Sequence, residues 1–146
     1  MKITVTEISK EKSEEIVVYC YEENKEHMLD IANRFQEQIG YIVCKKDGNT
    51  YKVSLNDVLY VEVVDERLYI YSESDVYENR MRLYEVENLC PLNMFFRASK
   101  SMLVNIDQIA YVKPSISGRF EITMRNSERL LVSRKYVNEL KRIMGV

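Results

Sequence analysis

Residues 41–72 read YIVCKKDGNTYKVSLNDVLYVEVVDERLYIYS. The runs YIVCKK and TYKVS are short, alternating and rich in β-branched and aromatic side chains. They flank Asp47-Gly48, a dipeptide suited to the positive φ angles of a tight turn, and so predict a β-hairpin. DVLYVEVV and RLYIYS follow, separated by the polar pair Asp65-Glu66, and predict further strands. Period-two patterning with frequent turns marks this part of the chain as mainly β.

Working outward, the turn Ser72–Asp75 precedes another strand-like run, VYENRMRL. LYEVENLC predicts one short helix with Leu83, Val86 and Leu89 on one side and Pro91 as its stop, because proline cannot continue a helix. MLVN, QIAYVK, RFEITMR and RLLVS then alternate as strands, with SISG and RNSE as turns, and Ser133 is placed to cap a last helix, RKYVNELKRIM. Upstream, ITVTEI (3–8) and EIVVYCY (15–21) predict two strands joined by the charged turn SKEKSE. In NKEHMLDIANRFQEQ and the residue after it, Met28, Ile31, Ala32, Phe35 and Ile39 recur at helical spacing behind Asn24 as a cap. The expected organisation is a strand-strand-helix extension over 1–40 followed by one α+β domain over 41–146.

The chain has 146 residues and is 46% hydrophobic, enough to bury the core of one domain. MKITVTEISKEK is too charged for a signal peptide, and no apolar run approaches the roughly 20 residues of a membrane span, which predicts a cytoplasmic protein. Cys20, Cys44 and Cys90 form no C-x-x-C pair and the sole histidine, His27, completes no zinc site with them; no cofactor or metal is implied. Carboxylate pairs such as Asp65-Glu66 fall in turns without a histidine, cysteine or glycine-rich loop to work with, which argues against an enzyme.

Charge is distributed unevenly around the formal net value of −2. Residues 1–40 carry 5 Lys/Arg against 9 Asp/Glu and residues 41–96 carry 6 against 10, whereas residues 97–146 carry 10 against 4. A basic block on an acidic body suits a polyanion-facing surface, although an excess of solvated Lys and Arg would give the same count. Two clusters stand out in this block, FFRASKSMLVN (95–105) and LLVSRKYV (130–137), each placing cations at the edge of a strand. Arginine offers a fork to guanine or phosphate, lysine a point charge, serine a hydroxyl or backbone N–H to phosphate. Solvated strand ends would look alike.

The order of the blocks resembles the LytTR DNA-binding domain of bacterial transcription regulators. DVLYVEVV with RLYIY, LYEVENL, FFRASKSMLVNIDQIAYV and LLVSRKYVNELK are similar to that family's I-x-Y-x-E strand, short helix, F-x-R-x-H-K/R-S-x-x-V-N block and S-R-x-Y block, over about residues 41 to 146. The resemblance implies stacked antiparallel β-sheets with short helices, whose loops read successive major grooves. It also implies DNA contacts at Lys100, Arg134 and, near a loop of variable length, Arg67. Ser99, Ser101, Arg97 and Lys135 complete the expected DNA-binding set, with Arg97, Ser101 and Asn105 read as residues that shape the loop and the adjoining strand. Ser99 stands where the family usually has histidine, a shorter donor with less reach.

The implied function is sequence-specific binding of double-stranded DNA and transcriptional regulation, with two copies on paired direct repeats. The first 40 residues are too short for the phosphoacceptor receiver domain many relatives carry, so control by aspartate phosphorylation within this chain is not expected. Short regulators of this kind resemble partners of small membrane proteins that restrain them, which makes a membrane-protein regulator an expected partner. The alternative is a protein-interaction module that keeps the fold and works through its acidic N-terminal piece.

Overall fold

The structure is a computed structural model that describes residues 4–12, 15–90 and 94–146, with only the backbone described over 34–39. Its contacts divide the chain into two units, Met1–Phe35 and Gln36–Val146. The division falls within the first helix, α1 (Lys25–Ile39), which continues from a 3-10 turn at Glu22–Asn24.

In the first unit the two expected strands do not form among the described residues: 4–8 and 15–20 have no ladder partner, and residue 3 lies outside the description. Val5, Ile8, Ile16, Val17, Val18, Tyr19 and Tyr21 are all exposed. β-propensity is a preference for a pleated, half-buried surface, and two short strands alone provide nothing to bury against. The helix does form, with Met28 and Ala32 half-buried and Leu29 and Ile31 exposed.

The second unit is a β-structure in layers. Strands β1 (Tyr41–Lys46), β2 (Asn49–Ser54), β3 (Val58–Val64), β4 (Arg67–Ser72), β5 (Val76–Asn79), β6 (Phe95–Ser99) and β7 (Met102–Asn105) form one sheet in the order β2-β1-β5-β4-β3-β7-β6. All of its pairings are antiparallel. Strands β8 (Ile109–Pro114), β9 (Phe120–Met124) and β10 (Arg129–Val132) form a second antiparallel sheet with β9 in the middle. The β1–β2 turn has Asp47 at φ 50° and Gly48 at φ 79°, as the dipeptide demands; the β3–β4 turn has Asp65 at φ 49° and Glu66 at φ 65°, the same geometry without a glycine.

Central strands bury both faces. Along β3, Val58 and Val61 join a core with Ile42, Leu68, Ile70 and Leu103, while Leu59 and Tyr60 join a second core with Phe96, Val104, Ile122 and Val132 from both sheets. A register shift between Val58 and Tyr60 accompanies this departure from simple alternation. Helix α2 (Leu83–Leu89) closes the first core and α3 (Val137–Met144) the second. Along α2 the buried residues are Leu83, Val86 and then Cys90; Leu89, expected on that side, is exposed, since the helix advances seven positions, not six, in about two turns. Pro91 lies outside the described residues. No helix among the described residues is long and apolar enough to cross a membrane.

Candidate nucleic-acid interface

The β6–β7 turn holds itself in shape. The Arg97 guanidinium donates through Nε to Glu87 Oε2 at 2.9 Å and through a terminal nitrogen to the Lys100 carbonyl at 2.7 Å. The Ser101 N–H donates to Ser99 Oγ at 3.2 Å, and the two hydroxyls lie 3.3 Å apart. Ser99 and Ser101 thus spend their hydroxyls on the turn, Arg97 divides its guanidinium between the turn and Glu87, and the Lys100 side chain is left exposed at the tip. Behind it Asn105 is fully buried, its amide donating to the carbonyls of Leu55 (3.3 Å) and Val58 (2.8 Å) while its Oδ1 accepts from the Asp107 N–H at 3.0 Å.

Two backbone hydrogen bonds join neighbouring loops to this turn. The Val63 N–H donates to the Ser101 carbonyl at 2.8 Å, which sets the end of β3, and with it the Asp65-Glu66 turn and exposed Arg67, alongside Lys100. The Ser133 N–H donates to the Ala98 carbonyl at 2.9 Å, which fixes the end of β10 beside β6 just where Arg134 begins a 3-10 turn (Arg134–Tyr136). Ser133 makes no side-chain cap bond, contrary to expectation: a 3-10 turn intervenes and α3 starts only at Val137. Arg67, Ser99, Lys100, Ser101, Arg134 and Lys135 therefore share one end of the β-structure, whereas the Arg97 guanidinium turns toward α2.

A fourth loop, between β8 and β9, also reaches this end. In the sequence it presents only the turn SISG. Pro114 pairs with Phe120 and Phe120 with Val132, so residues 115–119 lie beside Ser133. Gly118, at φ 72°, packs under the Arg134 stem, whose Cδ is 3.6 Å from where a side-chain carbon on that glycine would sit. Nothing local in the sequence announces that contact; the one available signal is Arg119, a further cation of the basic block.

Ion pairing sorts the cations of residues 97–146. Arg97 faces Glu87, Lys113 and Arg129 face Glu121, and Arg142 faces Glu139. Among the described residues the other six face no carboxylate. Of these, Lys141 lies 5.4 Å over the Phe120 ring and Arg125 follows β9 at the far end of its sheet. The remaining four, Lys100, Arg119, Arg134 and Lys135, gather on the loops just described, with Lys135 Nζ also 5.5 Å from the Tyr136 ring. Exposed cations without internal partners keep their charge for an external anion. The described residues contain no cluster of three or more His, Cys, Asp or Glu side chains placed to hold a metal ion.

Comparison with known proteins identifies the family of the β-structure. Residues 48–145 match the family model described as the LytTr DNA-binding domain. Sensory transduction protein LytT of Bacillus anthracis is 27% identical over 94 residues, 64% of this chain and 38% of that protein. Transcriptional regulatory protein YpdB of Escherichia coli is 25% identical over 100 residues, 68% of this chain and 41% of that protein. The chain thus aligns with only about two fifths of either regulator's length. Among solved structures, a LytTr DNA-binding domain of a Bacillus cereus regulator superposes with a TM-score of 0.70 at 27% identity, covering 73% of this chain and 98% of that one.

Proposed function

The chain belongs to the LytTR family of DNA-binding domains, and from that premise we propose that it regulates transcription by reading a specific sequence in double-stranded DNA. The observation that carries this reading is the bond from Ser133 to Ala98, which sets the start of the Arg134 turn beside the strand that leads to Lys100; among the described residues neither cation forms an ion pair. In the proposed mode these two side chains meet base edges, Arg67 contacts the same groove from the adjoining hairpin, and Lys135 with the backbone of the Ser99–Ser101 turn meets phosphates. Base contacts specify and phosphate contacts position. Two copies on paired direct repeats would give the loops of each copy one half-site.

Binding driven by phosphate neutralisation collapses with added salt. With about five phosphates engaged, affinity should fall with a log–log slope near −4.5 between low and physiological salt. Fluorescence anisotropy of the full chain on labelled duplex DNA across a salt series tests this; a flat response would remove phosphate contact from the mechanism.

A second reading rests on the first unit. Val5, Ile8, Ile16, Val17, Val18, Tyr19, Tyr21, Leu29 and Ile31 are exposed there, and exposed apolar side chains in number suit a protein-interaction surface. That favours a protein partner for residues 1–40, either a second copy or a membrane-protein regulator, acting alongside DNA binding. Crosslinking of the full chain in solution, with and without membranes, separates the two partners.

A further inference from the structure

We propose that the β8–β9 turn is a phosphate-binding element of the interface, with Arg119 holding a backbone phosphate of the strand that Arg134 reads. This inference rests on the DNA-binding function proposed above and extends it to a loop that the expected contact set leaves out.

The turn is built to stay in place. The Ser115 N–H donates to the Arg119 carbonyl at 2.8 Å, closing the loop at its base, and the Arg119 N–H returns to the Ile116 carbonyl at 3.3 Å. Ser117 and Gly118 take successive left-handed angles, φ 59° and 72°, which reverse the chain in the fewest residues. The reversal brings Gly118 under the Arg134 stem. Arg119 is next in sequence and extended, with φ −87° and ψ 168°. Phe120 points into the core, so strand alternation directs Arg119 away from it. Its guanidinium is exposed and faces no carboxylate among the described residues, while its strand neighbour Glu121 is engaged by Lys113 and Arg129. The result is an unneutralised cation on a rigid loop in direct contact with a base-reading arginine, where the sugar-phosphate backbone flanking that base must pass.

Arg125 provides the matched control: it is another exposed arginine without a carboxylate partner among the described residues, placed after the other end of β9. Full-length wild type, Arg119→Ala and Arg125→Ala would be titrated with a random-sequence duplex of about 30 base pairs over a salt series, since phosphate contacts act on any sequence. The expected result is a log–log salt slope shallower by about 1 for Arg119→Ala, with weaker binding at low salt, and no change for Arg125→Ala. If Arg119→Ala instead matches wild type, or both variants lose equally, the assignment of Arg119 is overturned while the DNA-binding function stands. If wild type binds no duplex at any salt, the function itself fails and this element with it.

Discussion

Lys100 and Arg134, the proposed base readers, differ in how they are held. Lys100 stands at the tip of a turn latched by Arg97, Ser99 and Ser101, so its own side chain is free to move. Arg134 is braced along its stem by Gly118. Lys100→Ala and Arg134→Ala should each cost about 1–3 kcal/mol on a specific site and less on random duplex, measured by competition anisotropy; equal losses on both would make them phosphate anchors only. Glu66 offers an independent test of the neighbouring turn. At φ 65° it occupies a region that costs an ordinary residue about 1–2 kcal/mol. Glu66→Gly should therefore raise the urea midpoint, and by removing a carboxylate next to Arg67 it should also strengthen DNA binding. A fall in stability would mean that the Glu66 side chain makes contacts worth more than the strain.

Among the elements, β7 shows how support differs from contact. Asn105 ties the end of this strand to the carbonyls that flank the Leu55–Asp57 3-10 turn. Asn105→Ala leaves two buried carbonyls without that donor and should cost about 1–3 kcal/mol of stability by urea unfolding. The ratio of specific to random DNA affinity should not change, because Asn105 reaches no ligand. The hairpins and the two helices of the β-structure were legible from sequence because their causes are local: turn residues with positive φ, alternation, and a helical period. Strand order was not, since β1 pairs with β5 and β3 with β7 through contacts far apart in the chain. The strands expected over 3–8 and 15–21 do not form among the described residues for the complementary reason, as local preference there has no ladder partner. Within the candidate site, motif order singles out Lys100, Arg134 and Arg67 as expected contacts, and the structure places them at one end of the β-structure. The Gly118–Arg134 contact could not, because it arises only when β9 and β10 pair.

The molecule as a whole combines an inert interior with one exposed thiol. Burial pushes the Cys44 thiol up to about 11 and, with help from the Glu87 carboxylate, the Cys90 thiol up to about 12. Both stay protonated at neutral pH, whereas Cys20 is exposed. A thiol-specific reagent should accordingly modify one cysteine rapidly in the folded protein and three after unfolding, counted by mass spectrometry; fast modification of two or three would contradict the buried cores. Linkage gives the pH dependence its sign. The unfolded chain loses these protons near the ordinary thiol value, the folded chain only well above it, so stability is full below about pH 9 and declines as pH rises toward 11–12. On the proposed reading, an acidic chain binds DNA through the exposed cations at one end of its β-structure, which form no ion pair among the described residues.

Selection of binding sites from a random duplex pool, with wild type and the Lys100→Ala/Arg134→Ala double variant in parallel at near-physiological salt, tests that directly. Wild type should enrich a repeated motif that the double variant does not. Enrichment of the same motif by both proteins, or of none by wild type and by residues 41–146 alone, would contradict the assignment of these loops as the reader of a DNA sequence.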